Sequence, residues 1–129
     1  MEIGSQAVPG AFEVLYVLYS IGSPVDVKDI HRIVDRLSKL GLCCREYRFA
    51  SYPWGPYSKD LESDLEILRS TGLVIITNGD GAKRVMVTSK GVEVAKNVER
   101  LIRNSGAISS LLRRGDRAGD GNRKGSGTS

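Results

Sequence analysis

At 129 residues, with 40% hydrophobic and 26% charged positions, the chain is sized and composed for one globular domain rather than a disordered or fibrous protein. No apolar run approaches the roughly 20 residues of a membrane span, and the start, MEIGSQAVPG, lacks the basic opening of a secretory signal, so a cytoplasmic protein without a membrane partner is expected. The formal charge of +4 invites a nucleic-acid partner, yet residues 1–104 carry 14 Lys and Arg against 13 Asp and Glu, leaving most of the excess in residues 105–129.

After an N-terminal arm, residues 1–9, the run GAFEVLYVLYSI at 10–21 is apolar almost all round. It is long for a strand and lacks polar alternation, so a central buried helix is expected. GSPVD supplies a turn, with Asp26 as N-cap of a helix over 27–41 in which Val27, Ile30, Ile33, Val34, Leu37 and Leu40 recur at threes and fours. Gly41 stops it. Its polar side carries Lys28, Arg32, Arg36 and Lys39, with Asp29 and Asp35 between. A phosphate backbone would relieve the repulsion among these cations, and a solvated face tempered by the aspartates accounts for them equally well. His31 falls on the polar edge of this helix. Cys43 and Cys44 are adjacent, which seldom makes a structural disulfide, so they read as small apolar fillers in a reducing compartment.

In REYRFASYPW, Tyr47 and Phe49 alternate with Arg48 and Ala50, predicting a short strand with its aromatic face inward. YPWGPYSKDL then reads as a rigid strand-to-helix corner. Gly55 permits an unusual backbone angle, Pro56 sets the chain direction, and Trp54 and Tyr57 can pack on its two sides. An exposed aromatic contact is the alternative. Leu61, Leu65 and Leu68 predict a helix over 58–71 with Ser58 as N-cap, ended by Thr71-Gly72. LVIITNGDGAKRVMVTS predicts a hairpin. Thr88 or Ser89 caps a last helix over 89–104, which residues 106–112 could extend, and from Arg113 the chain loses apolar periodicity and is expected to be disordered. The domain plan is thus an arm at 1–9, a folded body at 10–104 and a flexible, basic, Gly-rich tail at 105–129. The fold class is α+β, mainly α, in the order helix-helix-strand-helix-hairpin-helix of a winged helix-turn-helix.

The stretch FASYPWGPYSKDLESDLEILRSTGLV resembles the YwgA-like group of small winged-helix proteins, on Phe49, Gly55, Pro56, Tyr57, Ser58, Leu61, Leu65, Leu68 and Gly72. The segment LVIITNGDGAKRVMVTSKGVEVAKNV is similar to the wing and following helix of PadR-like and MarR-like regulators, on Thr88 and Gly91. The resemblance covers about residues 10–104 and implies a winged-helix DNA-binding regulator, usually dimeric.

On that reading the duplex-contacting residues are Lys28, Arg32, Tyr57, Ser58, Lys59, Ser63, Lys83, Arg84, Arg113 and Arg114. Helix 89–104 is the expected homodimer surface, through Val92, Val94, Val98, Leu101 and Ile102. One feature opposes groove readout: the third helix carries Asp60, Glu62, Asp64 and Glu66 against Lys59 and Arg69. A winged-helix protein-interaction module or antitoxin-like adaptor, without direct DNA readout, is therefore the alternative. No nucleophile with a base beside it, phosphate-cradling loop or metal spacing is present in the sequence, so no enzyme activity and no cofactor are expected.

Overall fold

The computed structural model describes residues 9–44 and 46–121, with side chains as far as Arg113; most of the expected N-terminal arm and residues 122–129 of the expected tail lie outside the described residues. Helix α1 (Gly10–Ile21) forms the middle of the molecule. Val14, Leu15, Tyr16, Val17 and Leu18 are each 2% exposed or less. Five successive buried positions span more than one turn of 3.6 residues, so no side of this stretch faces water. Helices α2 (Val27–Lys39), α3 (Lys59–Ser70), α4 (Ser89–Val98) and α5 (Ser105–Gly121) surround it.

The caps follow the expected residues. Asp26 Oδ1 accepts from the Lys28 amide at 2.9 Å, Ser58 Oγ from the Leu61 amide at 3.2 Å, and Thr88 Oγ1 from the Gly91 amide at 3.0 Å. Each satisfies one of the free amides of a first turn. The leucine ridge of α3, Leu61, Leu65 and Leu68, is buried as its spacing predicts.

Strands β4 (Val74–Gly79) and β5 (Ala82–Val87) form the expected hairpin. Its two loop residues, Asp80 and Gly81, stand at φ 53° and 76°, the backbone of a type I′ turn. The GSPVD segment does more than turn. Val25 and Asp26 form a two-residue strand, β1, whose partners on β5 are Val85 and Arg84, giving an antiparallel sheet of order β1-β5-β4.

The strand expected across Tyr47–Ala50 begins later, as β2 (Ala50–Tyr52). The rigid corner is itself a hairpin: β3 (Gly55–Tyr57) pairs back on β2, with Tyr52 opposite Gly55 across the loop Pro53-Trp54. Gly55 has φ 128°, the freedom the sequence assigns to it.

Two further differences lie near the C-terminus. The helix expected over 89–104 stops at Val98, passes through a 3-10 turn at Glu99–Leu101, and restarts at Ser105 after Asn104, whose φ is 66°. Helix α5 then occupies positions read as tail. Ile108 is 1% exposed, and Leu111 and Leu112 pack half-buried against the core, so the folded body reaches at least residue 112. The apolar surplus assigned to a dimer face is used internally. Ile102 is buried, Val94 and Val98 pack on the core, Val92 is half-buried, and Leu101 alone of the five is exposed.

The cysteines also depart from expectation: Cys43 and Cys44 are joined in a vicinal disulfide. The pair is buried at the end of α2, and the Cys44 amide donates to Glu13 Oε1 at 3.2 Å, so a tight turn is pinned to the central helix. The reading as free thiols is corrected by this bond. Among the described residues no helix is long and apolar enough to cross a membrane, and no group of three or more His, Cys, Asp or Glu could hold a metal ion.

Candidate nucleic-acid interface

The four carboxylates of α3 each have an internal partner. Asp60 Oδ2 accepts from the Arg48 amide at 3.2 Å, and Asp64 accepts from the Tyr47 hydroxyl. Glu66 pairs with Arg69 on the same face, which holds its carboxyl below the usual range, with Lys83 adding a smaller pull in the same direction. Glu62 Oε2 lies 2.8 Å from His31 Nε2. Asp60 and Asp64 fasten α3 to the segment before it and Glu62 fastens it to α2, a structural reason for three of the four acidic residues.

His31 is not on a polar edge; it is 2% exposed and sits between α2 and the start of α3. Its Nδ1 is 3.1 Å from the Ser58 backbone N–H, which can only donate. Nδ1 is therefore an acceptor and Nε2 carries the proton given to Glu62. The Tyr57 ring stacks on the imidazole, centroids 4.7 Å apart. Ser58 itself is 1% exposed, its hydroxyl occupied by the cap. Ser58 is thus part of a joint rather than a contact surface, and Tyr57 stacks on that joint while remaining half-buried.

The remaining expected contacts divide. Lys59 and Ser63 are exposed, and each stands beside carboxylates: Ser63 lines a concavity with Glu46, Asp60 and Asp64. Lys83 and Arg84 are neighbours on a strand, so their side chains leave opposite faces of the hairpin. Lys83 lies on the side of Glu66. Arg84 lies on the other side, where it lines a groove of about 840 Å³ with Arg32 and Arg36 of α2. Lys28 is exposed in the first turn of α2, and Arg113 is exposed on α5, next to Leu111 and Leu112 of the same groove. The Arg114 side chain lies outside the described residues.

Carboxylates share this groove. Asp26 is committed to the Lys28 amide, and Asp29 Oδ1 pairs with Arg32 at 2.6 Å. Arg36 and Arg84 have no ion pair among the described residues. Arg36 was recognisable as basic in the sequence. Its convergence with Arg84 depends on the pairing of Asp26 with Arg84, which two residues of strand do not announce.

Against α2, where Arg32 Nη2 donates to the Trp54 carbonyl oxygen at 3.4 Å, Tyr52 and Trp54 at the tip of the β2-β3 hairpin stack with centroids 4.7 Å apart and are 44% and 49% exposed. The run YPWGPY therefore contains both answers to its sequence ambiguity: Tyr57 is scaffold, and Tyr52 and Trp54 are surface.

Glu13 sets a pH-dependent property of the body. Burial raises its carboxyl above the ordinary value, Glu46 raises it further, and the Cys44 amide opposes both. A raised carboxyl binds its proton more tightly in the fold than in the open chain. Its stabilising contribution is complete below the ordinary glutamate range and is lost as pH climbs through the raised value. Glu13→Gln keeps an oxygen for the Cys44 amide and is expected to be more stable than wild type at pH 7, with a shallower decline from pH 4 upward. Urea unfolding across that range checks it.

No protein family, curated protein or solved structure matches this chain.

Proposed function

We propose that the chain is a small DNA-binding protein of winged-helix type, a regulator that holds duplex phosphates through Arg84, Arg36 and Arg32. The order of α1, β1, α2, α3 and the β4-β5 hairpin, with β1 paired on the second hairpin strand, supports the winged-helix reading. The convergence of Arg84 from the hairpin with Arg32 and Arg36 from α2 carries the DNA reading. Among the described residues neither Arg36 nor Arg84 has an ion pair, which leaves two guanidiniums to take phosphate oxygens bidentately. On this reading contact is made from α2 and the hairpin's Arg84 side, while α3 acts as a strut, its carboxylates turned to internal partners.

Fluorescence anisotropy with a generic duplex at two salt concentrations tests it. Arg36→Ala and Arg84→Ala are each expected to lower the log–log salt slope by about 0.9, the release expected for one phosphate contact. Lys83→Ala is expected to change it less, because Lys83 faces Glu66. Wild-type slopes in both arginine variants would remove the proposal.

A protein-interaction role is the second reading, supported by the exposed Tyr52-Trp54 stack, a kind of surface that often anchors protein partners. Trp54→Ala separates the two: the DNA reading expects unchanged duplex affinity.

A further inference from the structure

The groove that gathers the arginines is not merely charged. Ile21, Val25, Ile33, Leu37, Leu111 and Leu112 line it, drawn from α1, β1, α2 and α5. Ile21, Ile33, Leu111 and Leu112 remain only half-buried, so the concavity presents apolar surface that the described residues do not cover. Its volume of about 840 Å³ lies within the range of small-molecule sites. A phosphodiester backbone satisfies arginines but has no hydrocarbon to lay on such a floor.

We infer that this groove binds an amphipathic anion, a free monomeric acid with a hydrocarbon body and a carboxylate head. The head would lie between Arg36 and Arg84. Asp26 and Asp29 are no obstacle to one anion, since the first is engaged by the Lys28 amide and the second by Arg32. Arg32, Arg36 and Arg84 outnumber Asp26 and Asp29 in the groove, and this excess of positive charge disfavours cationic amphiphiles. The hydrocarbon would cover Ile33, Leu111 and Leu112, joining α5 to α2. Because the head uses the arginines assigned to phosphate, the acid would displace DNA; that regulatory half rests on the DNA-binding reading above, whereas direct binding does not.

Calorimetric titration of the full chain with decanoate, without DNA, is the primary test. One-site binding is expected, with acetate and decyltrimethylammonium failing to bind because each supplies only half of the ligand. Arg36→Gln with Arg84→Gln is expected to weaken decanoate about tenfold or more, the loss of charge-assisted bonds, with the helical circular dichroism unchanged. Leu112→Ser, at a half-buried position, is expected to weaken it by a smaller factor. Equal binding of the cationic amphiphile, undiminished affinity in the double variant, or uptake only from anionic vesicles would overturn the inference. Decanoate that binds a chain lacking DNA affinity leaves the ligand site standing and sinks the DNA reading. A chain that binds duplex but ignores decanoate does the reverse.

Discussion

Gly91→Ala is expected to destabilise the protein by about 2–3 kcal/mol, although alanine is the better helix former by about 1 kcal/mol. A Cβ at this position would run into the Leu73 carbonyl oxygen and would meet Val87 Cγ1 at 2.7 Å. The carbonyl cannot retreat cheaply. It accepts from the Thr88 amide at 3.0 Å and lies 3.1 Å from the Thr88 hydroxyl, so moving it disturbs the cap of α4 and the entry of β4 together. Overpacking against fixed backbone exceeds the propensity gain, so the sign of the effect is opposite to what helix propensity alone foretells. Equilibrium urea denaturation reads it directly, and a variant as stable as wild type would mean the α4–β4 contact is looser than described.

His31→Ala is expected to cost about 3 kcal/mol, because it strips a hydrogen-bond partner from two groups at once and removes a buried ring. The Ser58 amide would lose its acceptor, Glu62 its donor, and Tyr57 the surface on which it stacks. The two halves can be separated. Asparagine carries an oxygen near the position of Nδ1 and should rescue the Ser58 amide; glutamine reaches toward Nε2 and should rescue Glu62. Each is expected to fall between alanine and wild type in urea unfolding. A loss in His31→Ala below about 1 kcal/mol, the size of one ordinary hydrogen bond, would show that the joint between α2 and α3 does not depend on the imidazole.

Where the chain's periodicity was strong, the fold was legible. The threes and fours of Ile30, Val34 and Leu37, the leucines of α3, and the Asn-Gly-Asp-Gly turn each act within a few residues, so local reading reaches them. The caps Asp26, Ser58 and Thr88 were legible for the same reason. Strand β1 was not, because two residues show no alternation and form a strand only when β5 supplies the partner. The β2-β3 hairpin read as a strand-to-helix corner with Pro56 setting its direction; Pro56 is tolerated in the ladder because it is short and two-stranded. The stretch 106–112 was legible as an extension of the last helix, whereas the break at Asn104 that makes α5 a separate helix was not, and the glycines and mixed charges from Arg113 on read as tail.

The candidate site was half legible. Arg32 and Arg36 lie four apart on one helix and were legible together, but the meeting of Arg84 with them is set by sheet register, and the separation of Lys83 from Arg84 by the pleat of β5. The acidic character of α3 counted against groove contact; the partners Arg48, Tyr47 and His31, which explain it, lie 12, 17 and 31 residues from their carboxylates.

The position of α1 carries a cost during synthesis. Its Tyr16 hydroxyl donates to Glu99, 83 residues later, and lies 3.3 Å from the carbonyl of Ser105, 89 residues later. The most water-averse stretch of the chain therefore leaves the ribosome well ahead of the helices that cover it, and its last covering helix begins only 89 residues after Tyr16. Until then it is an open adhesive surface, and a nascent chain halted short of Ile108 would be a substrate for chaperones rather than a smaller folded protein.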